Sequence, residues 1–163
     1  MGGIKAFRGQ PVAAGSARGQ ALAADTALSF WGGVDPDTGV IIDQRHPLAG
    51  QLAAGRVLVI PSGRGSCSGS GVLLESIRQG TAPAAIILSR LDPIIGLGCI
   101  LGDELYASHP VLLVISEQGR QQITTGDVVA IDELGLVTVT PRVTGQPEPR
   151  SISHVTTEGK SGR

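Results

Sequence analysis

Three apolar runs organise the chain: residues 56–60 (RVLVI, apolar after Arg56), 84–88 (AAIIL) and 110–115 (PVLLVI). Runs of this length without polar alternation predict strands covered on both faces. Between the first two, residues 72–79 place Leu73, Leu74 and Ile77 on one helical face and Glu75, Arg78 and Gln79 on the other. Gly80 stands where a helix-terminating glycine belongs. Between the second and third, residues 93–105 are apolar but interrupted by Gly96, Gly98 and Gly102, which predicts a short helix or two turns. Residues 128–131 and 136–140 read as a closing hairpin around the turn 132–135. Nearer the start, residues 4–7 and 17–23 predict two short strands joined by a Gly/Pro/Ser turn region. Residues 40–42 predict another strand, after the turn residues Gly32, Gly33 and 35–39.

This order mixes strands with two helical insertions rather than alternating them strictly. It predicts an α/β or α+β sandwich or barrel with helices on the outside. The globular part spans residues 1–141. From 142 to 163 the sequence is polar and rich in Pro, Ser, Thr and Gly, the composition of an unfolded tail.

Composition narrows the function classes. The 163 residues suffice for one domain with a core. A formal net charge of −1 and the lack of a basic run argue against a nucleic-acid surface. Aromatic content of 2% argues against stacking platforms. Cys67 and Cys99 form no disulfide framework. No signal-peptide pattern opens the sequence, and no apolar run reaches the ~20 residues that span a bilayer. A soluble cytoplasmic protein without a membrane partner is the expectation.

Candidate chemistry concentrates between the first apolar run and the first helix, in PSGRGSCSGSG. A strand, a glycine–serine loop and a helix start together predict a turn with free N–H groups facing an anion. The loop is not a Walker A loop, and it fits neither GxGxxG nor GxSxG. Ser66 would sit just ahead of the helix, where the positive helix end stabilises an alkoxide or a bound carboxylate. The alternative is a plain turn with Ser68 or Ser70 as N-cap. Arg64 is a candidate carboxylate grip or an exposed loop arginine. Cys67 is a candidate reactive thiol or a small buried residue. Asp43, Arg45 and His46 form the cluster DQRH, either an acid–base pair or a polar surface loop. His109 and His154 read as structural or solvated, and no Cys/His/Asp/Glu spacing matches a metal site.

The string IPSGRGSCSGSGVLLESIRQGTAPAAIILSRLDPIIGLGCILGDELY, together with SFWGGVDPDTGVIIDQRHPLAGQ upstream, resembles the small, swivelling subunit of the aconitase X family. The resemblance covers roughly residues 4–141. It implies an α/β, aconitase-type swivelling β/β/α domain, barrel-like with flanking helices. It also implies a large subunit docked across a substrate cleft, which carries an iron or iron–sulfur site, so that this chain itself binds no cofactor. The position matching the family's proton-abstracting serine is Ser66, with Arg64, Gly65, Cys67 and Ser68 lining the substrate. Family members dehydrate either cis-3-hydroxy-L-proline, to 1-pyrroline-2-carboxylate, or mevalonate 5-phosphate. The loop Gly-Ser-Cys-Ser-Gly-Ser looks like the hydroxyproline branch, because the other branch tends to read Gly-Ser-Thr-Val-Gly-Ser. The alternatives are the mevalonate 5-phosphate branch, a carrier, and a non-catalytic binding or regulatory module. A docking subunit also needs an apolar face, for which Phe30, Trp31, Ile94, Ile95 and Leu97 are the candidates.

Overall fold

The computed structural model describes residues 2–145 and 147. Most of the polar stretch 142–163, His154 included, lies outside the described residues.

The three apolar runs become β4 (Val57–Val59), β5 (Ala85–Leu88) and β6 (Val111–Val114), which lie parallel. They are joined by α1 (Gly69–Gln79) and α2 (Pro93–Tyr106). Strand β3 (Ala17–Ala23) extends the parallel set beside β4. β-strand geometry sends successive side chains to opposite faces. In the register observed, Leu22, Leu58, Ile86 and Leu112 form one row, facing the helices and packing with Leu73, Ile77, Ile95 and Cys99. The neighbouring rows Ala21–Val57–Ala85–Val111 and Ala23–Val59–Ile87–Leu113 face the other way, into a second core. Two separate cores on one set of strands explain why these runs contain no polar alternation.

The second core is walled by antiparallel strands. β7 (Val128–Ile131) pairs with both β3 and β8 (Leu136–Thr140), and β1 (Lys5–Arg8) pairs with β8. Val129, Ile131, Val137 and Val139 point inward. The sheet order is β1-β8-β7-β3-β4-β5-β6-β2, with β2 (Gln10–Ala13) on the far edge against β6. Only Gly9 separates β1 from β2, so one bent segment borders both edges and nearly closes the sheet into a barrel. The Gly9 N–H donates to the Gly135 carbonyl, 2.8 Å. A Cβ at position 9 would lie 3.1 Å from the Ile115 Cγ2 atom. The β/β/α architecture expected from the resemblance is present.

Several local expectations need correction. Residues 93–105 form one continuous helix, because Gly98 and Gly102 are contact residues rather than breaks. Their missing side chains admit Leu73 and Ile77 of α1. The turn region between β1 and β3 contains strand β2, and α3 (Glu117–Gln121) follows β6. Residues 40–42 form no strand. Only single bridges link Val34 to Ile41 and Val40 to Leu52. The excursion between β3 and β4 instead wraps the helical face and seals its core with Leu28, Phe30, Val34, Ile41 and Leu48. No helix among the described residues is long and apolar enough to cross a membrane.

Candidate functional site

The glycine–serine loop occupies residues 61–68, at the C-terminal end of parallel strand β4 and the N-terminus of α1. In open α/β sheets this is the end at which ligands bind. Main-chain bonds fix the loop from one side: Leu28 N–H donates to the Ser62 carbonyl, and Arg64 N–H donates to the Leu28 carbonyl. Gly63 rests against Asp92, where a Cβ would come within 2.5 Å of Oδ2. Asp92 is itself committed to α2, its Oδ1 accepting from the N–H groups of Ile94 and Ile95. Gly65 has φ +91°, and a Cβ there would meet Ser29 Oγ at 2.8 Å. Glycine at 65 is therefore required twice, by conformation and by space.

Beyond these anchors the loop is open to solvent. Arg64, Gly65, Ser66, Cys67 and Ser68 are all exposed. Ser66 Oγ accepts the Ser68 N–H at 3.2 Å, so one donor already faces the hydroxyl oxygen. The N–H groups of Gly65, Ser66, Cys67 and Gly71 have no acceptor among the described residues. No side chain caps the helix. Ser68 makes no cap bond, and the Ser70 hydroxyl donates to the Cys67 carbonyl instead. Ser68 thus holds the N-cap position of the alternative reading without its side-chain bond, and the first turn of α1 carries no acidic residue. Uncapped donors at a helix start suit the approach of an anion.

Asp43 is brought to this loop, where its carboxylate bonds Arg64 while only its main-chain carbonyl bonds His46, accepting the His46 N–H. Its Oδ2 accepts from Arg64 Nη2 at 2.9 Å, and its Oδ1 accepts the Arg45 N–H. The Arg45 N–H, and after it the Arg64 guanidinium, holds the Asp43 carboxyl below the usual carboxylate range. His46 is buried, unlike a polar surface residue. Leu48 N–H donates to Nδ1, which assigns the proton to Nε2, where it bonds the Thr26 carbonyl. Both ring nitrogens are committed to main chain, so His46 braces a loop rather than moving protons. His109 is likewise held, between Asp103 and the Ala14 carbonyl.

Sequence reasoning missed Leu28, Ser29 and Asp92 as supports of the loop. For Asp92 a signal existed: an Asp just before a proline and an apolar run marks a helix start. It also missed a groove of about 410 Å³ beside the loop, lined by Asp25, Ala27, Pro61, Ser89, Arg90 and Glu117. Arg90 donates there to Ser62 Oγ. Directly against Gly63, Arg64 and Gly69 the space is only about 10 Å³.

The expected docking face divides. Phe30 and Ile95 are core residues, 3% and 2% exposed. Trp31 and Leu97 are open, 60% and 48% exposed, and Leu91 joins them at 59%. Phe30 and Trp31 are neighbours in sequence, so the turn that exposes one buries the other.

No three His, Cys, Asp or Glu side chains converge on a metal position among the described residues. Cys99 lies in the helix-side core, where burial pushes its thiol up to about 12. The donor set does not fit an iron or iron–sulfur group, which needs several thiolates or other ionised ligands.

Comparison with known proteins decides the family: residues 6–139 match the model of the aconitase X swivel domain. The chain belongs to the aconitase X swivel-domain family. Its swivel domain is 52% identical over 105 residues to the cis-3-hydroxy-L-proline dehydratase of Pseudomonas aeruginosa, covering 64% of this chain and 18% of that protein. The Hypocrea jecorina protein of the same name is 40% identical over 126 residues, covering 77% of this chain and 21% of the relative. The chain thus spans about a fifth of these two relatives. The phosphomevalonate dehydratase small subunit of Methanopyrus kandleri is 44% identical over 120 residues, covering 74% of this chain and 85% of that subunit. Among solved structures, the holo-form of Thermococcus kodakaraensis aconitase X superposes with a TM-score of 0.76 at 31% identity. That match covers 84% of this chain and 99% of the other.

Proposed function

We propose that this chain is the swivelling subunit of a hydro-lyase that dehydrates cis-3-hydroxy-L-proline, with Ser66 as the base. The observation that carries this reading is the position of Ser66: exposed, ahead of an uncapped helix, with a backbone N–H already donated to its Oγ. A serine hydroxyl is a weak base at its ordinary pKa. Unpaired N–H groups and the helix end stabilise its alkoxide far more once a docked surface excludes water.

In the reaction, the Ser66 oxygen takes the proton from the carbon bearing the carboxylate. The electron pair left behind forms the ring double bond as hydroxide departs from the neighbouring carbon. The resulting enamine tautomerises to 1-pyrroline-2-carboxylate. Arg64, with N–H groups beyond the one given to Asp43, and the free N–H groups of Gly65 and Cys67 would hold the carboxylate. Cys67 and Ser68 would line the ring. An iron or iron–sulfur site on a large partner would supply the Lewis acid for the departing hydroxide.

The exposure of Arg64, Gly65, Ser66, Cys67 and Ser68 to solvent supports an active site completed by that partner. Trp31, whose main chain lies against Gly69 at the start of α1, would form part of the apolar rim of the contact. The Gly-Ser-Cys-Ser-Gly-Ser loop and the 52% identity to a hydroxyproline dehydratase favour the amino-acid substrate. The likeness to phosphomevalonate dehydratase small subunits supports mevalonate 5-phosphate as the second reading.

The test is a dehydration assay of the chain assembled with its large partner on both substrates, with wild type and Ser66→Ala in parallel. Turnover of cis-3-hydroxy-L-proline that vanishes in Ser66→Ala, with assembly retained, is the expected result. Turnover of mevalonate 5-phosphate alone would select the second reading. Undiminished turnover in Ser66→Ala would remove the serine from the chemistry.

A further inference from the structure

The two oxygens of Asp43 do different work. Oδ1 accepts the Arg45 N–H at 3.0 Å, which fixes the carboxylate plane to the main chain. Oδ2 accepts from Arg64 Nη2 at 2.9 Å. The loop behind Asp43 is rigid, because His46 is buried and tied by one nitrogen to Leu48 and by the other to Thr26. On the other side, Arg64's own backbone is bonded to Leu28, and Gly65 beyond it is locked in a left-handed turn over Ser29. Both ends of the pair are thus anchored to frameworks, while the arginine side chain between them stays 54% exposed. An exposed arginine ordinarily samples many rotamers, and fixing it before the ligand arrives removes that ordering cost from binding.

From this arrangement we infer that Asp43 is a positioning residue. It aims the Arg64 guanidinium so that its remaining N–H groups meet a carboxylate brought to Ser66. The inference rests on the reading of Arg64 as a carboxylate contact. A competing effect has the opposite sign: Asp43 offsets part of the arginine's charge, and that alone would weaken anion binding. Asn at 43 separates the two, since it is uncharged and, of the two sides facing Arg45 and Arg64, only one keeps an acceptor while the other becomes an NH2 donor.

The experiment compares wild type, Asp43→Asn, Arg64→Ala and the double variant, assembled with the large partner. Positioning predicts a KM raised about tenfold in Asp43→Asn, kcat within about twofold, and no further loss when Asp43→Asn is added to Arg64→Ala. A KM that falls or stays unchanged in Asp43→Asn overturns the inference, as do effects that multiply in the double variant. Arg64→Ala with unchanged KM would instead remove Arg64 from substrate binding, a failure of the underlying reading that the single variant reveals by itself. A second measurement does not depend on turnover: the ¹⁵Nε resonance of Arg64 in the full chain, titrated with sodium acetate. Wild type should show an ordered Nε–H group and an acetate-dependent shift, and Asp43→Asn a mobile group with a weaker shift. Equal order and equal shift in the two proteins would overturn the inference.

Discussion

Gly98 of α2 lies so close to Leu73 of α1 that a Cβ at 98 would sit 2.9 Å from the leucine Cδ2. Since α1 carries the Ser66 loop on its N-terminus, this contact sets where the loop stands. Gly98→Ala forces Leu73 to shift, and overpacking of this kind costs about 1–3 kcal/mol. Gly102→Ala is worse, because its Cβ would meet the Ser108 carbonyl at 2.7 Å as well as Ile77. Gly96, in the same helix, has only Val12 nearby, at 3.9 Å. Gly96→Ala should therefore gain about 0.5–1 kcal/mol from helix propensity. Thermal melts of the three variants check this order, and a melting temperature for Gly98→Ala at or above wild type would contradict it.

Gly65→Ala should separate activity from stability. The change puts a side chain at φ +91° and 2.8 Å from Ser29 Oγ. Left-handed strain at a non-glycine residue costs about 1–2 kcal/mol, which a domain with two cores survives. The loop cannot keep its path, so turnover in the assembled enzyme should fall by at least ~100-fold, the order associated with a displacement of about 1 Å. Steady-state kinetics beside a melting curve distinguish this from general unfolding.

The two thiols should differ completely in reactivity. Cys67 is exposed, whereas Cys99 is buried with its thiol pushed up to about 12. The thiolate is the reactive form. An aromatic disulfide reagent at pH 8 should thus modify one thiol in the native chain and the second only in denaturant. Cys67→Ser should leave no native reaction.

Glu117 gives stability a handle on pH. Arg120, followed by the Ser89 hydroxyl, pulls its carboxyl down from 4.5 to about 2. Arg120 is 3% exposed and also bonds Asp25 and the Ala24 carbonyl. A carboxyl depressed in the folded state stabilises fully above its unfolded value. The contribution is lost as pH falls from about 4.5 towards 2. Urea midpoints measured at pH 7, 4 and 3 should drop on acidification less steeply in Glu117→Gln than in wild type. Parallel profiles would show that the pair adds nothing to folding.

What the sequence made legible follows from how each residue signals its place. Residues 57–60 and 84–88 announce themselves because burial on both faces leaves no polar position. The Ser66 loop is legible because an apolar strand run leads into its glycines and serines and an amphipathic helix leaves them. Gly98 and Gly102 mislead, since a glycine that breaks a helix and one that admits a neighbouring leucine look identical until the neighbour is known. Strand β2 is hidden by Pro11 and its exposed flanks, as its partner β6 lies a hundred residues away. Asp43 shows the same limit in the site. Proximity in sequence pairs it with His46, but the fold delivers Arg64.

The bend at Gly9 has a consequence for the order of assembly. Lys5 pairs with Val139, while Gln10, just past the bend, pairs with Val114. A ribosome therefore releases the first strand long before either neighbour exists. Closing such distant pairs costs chain entropy that only a preformed framework repays. Until β1 and β2 are seated, the outer margins of β8 and β6 stand open to any stray strand.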